Sequence, residues 1–408
     1  MAINYSNNDV TTSGNLIASS GNFTTGLTLN NVFVSVSGHT HTSSNITDFN
    51  SSVSGLFPAF PYILDENFNI LPTNGGNSVG VNAGSSVVGG GDNNTVSGSY
   101  AVVGGGKNNN AQFSDYSFIG GGYQNTVEST YAGISAGSYN SIPIGSDYAF
   151  IGGGQNNTAI APYSVVCGGR YNTAENEGFV GGGSHNTASA LYATIGGGNY
   201  NSATNFYASI CGGNSNTASG PLSAIGGGGS NTASAYYSTV SGGNNNNASA
   251  IGSTISGGLQ AKADRYGMQA YSAGSFASDG DAQRVNFILR QITSDDTPTE
   301  LFLDSNSIRL TIPSGKALFA TVSIAGIING GSKAIHYIRK VAIKNISGTT
   351  SLIGTVSILG TDVEDDASYD VSITADDTND ALQINVIGQT GETIRWVAHV
   401  DGVEIAYG

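Results

Sequence analysis

Between about Val79 and Ala261 the apolar positions recur with a period near fifteen residues. Each copy places one aliphatic residue ahead of a short run of Gly or another small residue, then two variable positions, then Asn and a small or hydroxyl residue. The aliphatic residue precedes Asn94, Asn109, Asn125, Asn140, Asn157, Asn172, Asn186, Asn201, Asn216, Asn231 and Asn246 in turn, and the frame fades where Ala261 replaces the Asn. A short strict period with occasional slips predicts a β-solenoid in which each repeat forms one coil. Equivalent residues then stack at about 4.8 Å, so eleven or twelve coils make a rod of roughly 55 Å.

Stacking assigns each position a task. The recurring Asn becomes a ladder of side-chain amides at a turn that Asn tolerates. The Gly run permits positive φ or close backbone approach. Val or Ile before the Gly run points inward, with the small residue after each Asn pair (Val96, Ala111, Ala159, Ala203) as its narrow partner. A column of Tyr100, Tyr116, Tyr131, Tyr148, Tyr163, Tyr192, Tyr207 and Tyr237 stands four residues ahead of the Gly run. Its regularity favours a spine packing between coils or chains over a sugar-stacking stripe. So thin a coil buries little apolar surface against an ordering cost of about 1–2 kcal/mol per residue, which predicts a homotrimer around a common axis.

The flanks differ. Residues 1–77 form an N-terminal region with short alternating runs, the segment Gly38-His39-Thr40-His41-Thr42, and a short helix expected from Ile46, Phe49 and Val53 on one face. His39 and His41, two apart on an extended strand, point the same way. Around Asp65-Glu66 a capping coil is expected to shield the solenoid end from strand addition. The solenoid spans 78–262 and a neck spans 263–283. Residues 284–408 alternate as strands between turns rich in Gly, Asp and Asn, which predicts an antiparallel β-sandwich. The only Trp, Trp396, shares a face with Ile394, Ala398 and Val400 and is expected in its core. The fold expectation is all-β: an elongated fibre with a central β-roll and this C-terminal domain.

Composition narrows the function classes. Charged residues are 10% of 408, and 60 are Gly, which suits a neutral-polar β builder. A net charge of −15 excludes nucleic acid as a partner, because that needs a basic face. No charged-then-apolar leader opens the sequence and no apolar run of about 18 residues appears, so neither export nor membrane insertion is expected. Cys167 and Cys211 lie three coils apart, about 14 Å, too far for a disulfide, and are expected as small buried thiols of a cytoplasmically made protein. Acidic turns at Asp295-Asp296, 362–366 and 376–380 lack the spaced calcium-loop pattern and are expected to be solvated.

The stretch Tyr192-Ala-Thr-Ile-Gly-Gly-Gly-Asn-Tyr-Asn-Ser-Ala203 resembles the head repeats of trimeric autotransporter adhesins and the β-rolls of phage tail fibres. The segment Val36–Leu56 resembles one near the N-termini of phage tail-fibre proteins. The run Tyr266-Gly…Ala270…Gly274-Ser-Phe276…Gly280-Asp-Ala-Gln283 resembles a junction leading into a terminal domain of phage tail proteins. The resemblance implies a tail fibre or tailspike of the virion tail, docked by its N-terminus onto tail or baseplate proteins. Its C-terminus would meet a host surface glycan or lipopolysaccharide. It also implies that His39 and His41 of three chains hold a transition-metal ion such as iron, for which imidazole is suited. A structural component whose C-terminal domain only locks the trimer is the alternative. Glycan cleavage needs two carboxylates beside a cleft, but Asp92, Asp115, Glu128, Asp147, Glu175 and Glu177 scatter over different repeat positions. Only Glu175 and Glu177 are placed to share a face, and no motif of another catalytic class occurs. The expectation is therefore a chain that is not an enzyme.

Overall fold

The computed structural model describes residues 62–407 except Asn82, together with the backbone of two short strands, Leu27–Leu29 and Val32–Val34, which pair antiparallel. His39, His41 and the helix expected near Ile46 lie outside the described residues. Among the described residues there is no helix, and hence none long and apolar enough to cross a membrane.

Three parallel ladders run up the solenoid. One joins Val87–Val88, Val102–Val103 and Phe118–Ile119 through to Thr254–Leu259. A second, of 13 two-residue strands, runs from Ser78–Val79 to Lys262–Ala263. A third consists of single bridges from Asp92 through Lys107, Tyr123 and their successors to Leu259. Strand alternation turns the first residue of each pair outward and the second inward. Val88, Val103, Ile119, Ile134 and their equivalents are fully buried, as are Val96, Ala111, Val127 and Ala159 opposite them. A third inward position, just after the Tyr column, is filled by Ala101, Ala132, Ala149, Ala193 and Ala208 or by a buried Ser. Its mark in the sequence is the small residue, Ala or Ser, that directly follows each Tyr of the column, with Gly178 after Glu177. Burying one Val or Ile contributes about 1.5–3 kcal/mol, so the core of a coil is one aliphatic side chain and two small ones.

The third residue of each Gly run has little freedom to change. Gly154 has φ +91°, and a Cβ there would stand 2.0 Å from the carbonyl oxygen of Gly169 one coil on. The middle residue is permissive: a Cβ on Gly197 would meet nothing within 4 Å. The expected burial of the two thiols is corrected. Cys167 and Cys211 are free and exposed, because each follows an inward aliphatic residue and alternation turns it to solvent.

The N-terminal end is covered by a hairpin, Tyr62–Leu64 with Ile70–Pro72, whose Ile70 pairs with Val87 of the first ladder. Asp65 closes its turn by accepting from the amides of Asn67 and Asn69, both at 2.9 Å. At the other end Gln269–Ala273 still stacks on the last coil and pairs antiparallel with Ala282–Thr293. That strand starts a long antiparallel sheet with Ile394–Ala406, Lys316–Ile328 and Ala334–Ile346. A smaller sheet of Thr299–Glu300, Ala381–Ile387, Leu310–Thr311 and Asp370–Asp376 lies against it. Phe287, Leu318, Val322 and Trp396 of the first and Leu310, Leu382 and Ile384 of the second are buried in one core. Trp396 is 1% exposed, and its indole N–H donates to Thr293 Oγ1 at 2.9 Å.

Candidate functional site

The Asn positions carry the coil-to-coil bonding. Asn157 is fully buried; its Nδ2 donates to Gly153 O and to Gly169 O of the next coil, both at 2.9 Å. Its Oδ1 accepts from the backbone N–H of Asn172 at 3.0 Å. The same set repeats at Asn94, Asn109, Asn125, Asn140, Asn172, Asn186, Asn201, Asn216, Asn231 and Asn246. Side chain to side chain bonds join only some rungs, such as Asn109 to Asn94 at 3.1 Å. The common rung is backbone amide to side-chain oxygen. It begins one coil earlier than the repeat frame, at Asn77, and ends with the Ala261 amide on Asn246.

The Tyr column forms a stack. Rings of Tyr100, Tyr116, Tyr131, Tyr148 and Tyr163 follow one another at 4.9–5.1 Å, with interplanar angles of 3–8°. Each of these residues has positive φ, 56–62°, at a sharp corner. Their amides also form a ladder: Tyr148 donates to Thr130 O, Tyr163 to Asp147 O, and Tyr207 to Leu191 O. Inside such a stack both ring faces are covered, leaving edges for any ligand. Glu177 interrupts it.

The interruption follows from coil length. Tyr lies nine residues before the next Asn throughout, as in Tyr163 to Asn172, so slips fall between Asn and the Tyr corner. That segment is six residues from Asn186 to Tyr192, eight from Asn140 to Tyr148, and five from Asn172 to Glu177. Longer segments bulge, leaving Phe113 and Ile144 more than 70% exposed. The short one retreats. There the Glu177 amide does not donate to Pro162 O, the one unmade rung of that ladder among the described residues from Tyr100 to Gly267. A tight turn instead bonds Gly178 N–H to Glu175 O at 2.7 Å.

Beside this gap lies a cleft of about 570 Å³. Pro162, Tyr163, Leu191 and Phe206 form its apolar walls, and Asn176, Glu177 and Asn205 contribute polar atoms. Tyr163 stacks on Tyr148 on one side and has no aromatic neighbour in the Glu177 coil. The negative charge of Glu177 pushes the Tyr192 phenol above its ordinary value, with burial adding to it. Glu177 lines the cleft whereas Glu175 does not. Asp92, Asp115, Glu128 and Asp147 lie on earlier coils and are not brought to it.

At the variable corner before each Asn, Tyr171, His185 and Tyr200 form a second stack at 4.8 and 4.5 Å, which the repeat frame had not singled out. The acidic turns use their oxygens internally. Asp362 pairs with Arg339, Asp366 with Lys333, and Asp376 accepts from the amides of Thr378 and Asn379. No group of three candidate metal ligands occurs among the described residues. At the neck the fully buried Glu404 holds Lys316 at 2.6 Å, Gln283 at 3.1 Å and the Arg265 guanidinium. Gln283 also clasps Lys262 through both its amide atoms. This network ties the last coil to the C-terminal sheet.

No family model matches the chain, and no curated protein matches its sequence. Solved structures do. The tailspike protein of Acinetobacter phage vB_ApiP_P1 is 9% identical, with a TM-score of 0.25, covering 83% of this chain and 81% of that one. The tailspike protein gp49 of Acinetobacter baumannii bacteriophage Fri1, a capsular polysaccharide depolymerase, is 11% identical with a TM-score of 0.21, covering 79% and 66%. The Acinetobacter baumannii phage AM24 tailspike protein is 9% identical with a TM-score of 0.24, covering 82% and 76%. No residue role is carried over from them. The expectation that the chain is not an enzyme is corrected, because one of these tailspikes is a depolymerase. The physical reason is that coil stacking, and no linear motif, sets the distance between carboxylates on a solenoid, so the absence of a motif carries no weight. The chain is an all-β solenoid with a C-terminal antiparallel sheet, similar in kind to phage tailspike proteins, the class its sequence resembles.

Proposed function

We propose that the chain is a subunit of a phage tailspike that engages a polysaccharide on the host surface, and that the cleft beside Glu177 makes the contact. The observation carrying this reading is the single unmade rung. From Tyr100 to Gly267 every other corner amide is bonded coil to coil, including that of Leu222, the other residue that breaks the ring column, which donates to Phe206 O. At Glu177 a free amide, a free carbonyl, a carboxylate and an uncovered aromatic side meet in one concave place, the combination that holds a ligand ring.

The outer face of the long C-terminal sheet supports association of three chains. Ile288, Phe319, Ile327, Val397 and Val403 are 43–55% exposed on it, a surface suited to a second copy. Residues 1–61 would attach the spike to the tail, with His39 and His41 holding an iron-like ion across the three-fold axis. Avidity from three identical shafts raises a weak sugar affinity without new contacts.

The test is adsorption of the labelled full chain to encapsulated cells and to the same cells stripped of surface polysaccharide. Binding only to the former is expected. Equal binding to both overturns the reading. Reducing ends counted in the same incubation tell holding from cutting.

A further inference from the structure

Charge along the shaft carries the reading further. Between residues 62 and 261 the only cationic side chains are Lys107 and Arg170. Lys107 is paired with Asp92 at 3.0 Å, and Arg170 lies over the Tyr171 ring at the other corner. Neither is among the residues of the cleft, where Glu177 is the only charged group. No cation pairs with Glu175 or Glu177 among the described residues. The raised Tyr192 phenol reports the same negative field. An acidic sugar entering there would meet a like charge at contact distance, well inside the screening length of about 8–10 Å, with no cation to balance it.

The slot also has a size. Ring centroids in the stack are 4.9–5.1 Å apart, and one coil without a ring separates Tyr163 from Tyr192. Tyr192 lies outside the cleft, whose wall across from Tyr163 and Pro162 is Leu191 and Phe206, and the volume of about 570 Å³ leaves room for a sugar ring against Tyr163 and Pro162. A pyranose brings apolar C–H faces for Tyr163 and Pro162, and edge hydroxyls that donate to the Glu177 carboxylate and to Pro162 O. An amine at that edge adds a charge-assisted bond.

We infer that this cleft is a subsite for one uncharged or amino-bearing pyranose, that it turns away acidic sugars, and that Glu177 determines the choice; the inference rests on the polysaccharide reading above. Two variants separate charge from space. Glu177→Gln keeps the shape and removes the charge. Glu177→Tyr restores the repeat residue at a corner whose φ, 59°, equals that of Tyr192, and so closes the slot with a ring while the coil stays folded.

The probes are short oligomers of N-acetylglucosamine, glucosamine and galacturonic acid, titrated at about pH 6, where the amine is charged and carboxylates are ionised. Wild-type protein is expected to bind the glucosamine oligomer at least about tenfold more tightly than the galacturonic one. Glu177→Gln should bring the two within about threefold and leave the N-acetylglucosamine oligomer little changed. Glu177→Tyr should lose all three. A wild-type protein that binds the galacturonic oligomer as well as the glucosamine one overturns the inference, as does a preference that survives Glu177→Gln. Retained binding by Glu177→Tyr, or no binding of any probe, overturns the subsite. If Glu177→Tyr still adsorbs to encapsulated cells like wild type, the subsite falls and the tailspike reading stands. If folded wild-type protein ignores the polysaccharide altogether, both fall.

Discussion

Replacing Asn157 by Ala tests whether the Asn column carries the shaft. Asn157 sits in mid-solenoid, fully buried, with two donated bonds at 2.9 Å and one accepted from Asn172 N–H at 3.0 Å. Each net bond contributes about 0.5–1.5 kcal/mol, and a buried amide left without a partner costs about 1–3 kcal/mol more. Ala deletes three bonds and strands the Asn172 amide, so a loss of about 3–4 kcal/mol is expected. In a one-dimensional array that loss is local, because each coil contacts only its neighbours. The assay is therefore hydrogen exchange resolved by coil, alongside thermal unfolding. A loss of about 3 kcal/mol corresponds to roughly a hundredfold faster opening of the amides in the coils around Asn157 and Asn172. Those beyond Asn216 should keep their protection. Gln155→Ala, an exposed neighbour, should change stability by no more than about 0.5 kcal/mol. Unchanged protection near Asn172 in Asn157→Ala, or equal effects of the two variants, would refute the reasoning.

Three further outcomes follow from other parts of the molecule. Gly154→Ala should destabilise by at least about 3 kcal/mol through its φ of +91° and the 2.0 Å approach to Gly169 O, whereas Gly197→Ala should be neutral or slightly stabilising; paired melting curves compare them. Glu404→Ala leaves Lys316 and Arg265 without their buried anion and should cost about 3–5 kcal/mol, while Arg284→Ala, which breaks the exposed pair with Asp401, should cost under about 1 kcal/mol in the same urea titration. The amides of Ile308, Ser307 and Asn306 hold the Asp304 carboxyl down at about 2. A depressed folded-state pKa gives stability that is present above the unfolded value near 4 and is lost as pH falls toward about 2, so Asp304→Asn should flatten the stability profile of that turn over this window, read by NMR.

How much of this could be read in advance differs between elements. The solenoid could, because stacking converts a linear period into a spatial column, and the aliphatic residue six ahead of each Asn is a direct record of an inward position. The C-terminal strands could too: Lys316–Ile328 and Ala381–Ile387 alternate between buried and outward positions, as expected of strands in residues 284–408. Ser351–Leu359 splits into Thr349–Leu352 and Ser357–Ile358 although its neighbour Ala334–Ile346 runs on unbroken, because the edge segment turns at Gly354, whose φ is +74°. The small apolar character of the thiols is a poor guide to their place, because the face alternation of their own coils turns Cys167 and Cys211 outward. The buried cluster around Glu404 joins residues 139 apart and left no local trace.

The cleft was recorded in the sequence in a form that asks for a different measurement. Reading the period from Asn to Asn gives a slip of one residue at Asn172–Asn186, no larger than that at Asn109–Asn125. Splitting the period at the Tyr corner shows that the two slips have opposite consequences. A gained residue has room outside the coil and emerges as the exposed Phe113; a lost residue must be taken from the rung itself. A repeat protein bonds its polar backbone to itself for as long as the repeat is kept, so a ligand finds unspent donors, acceptors and ring faces where a coil is short. On that argument, inserting one residue between Ala174 and Glu175 while keeping Glu177 should restore the Glu177 to Pro162 rung, protect that amide from exchange and weaken saccharide binding. A fifteen-residue coil that binds as well as the fourteen-residue one would show that the deletion is incidental to the site.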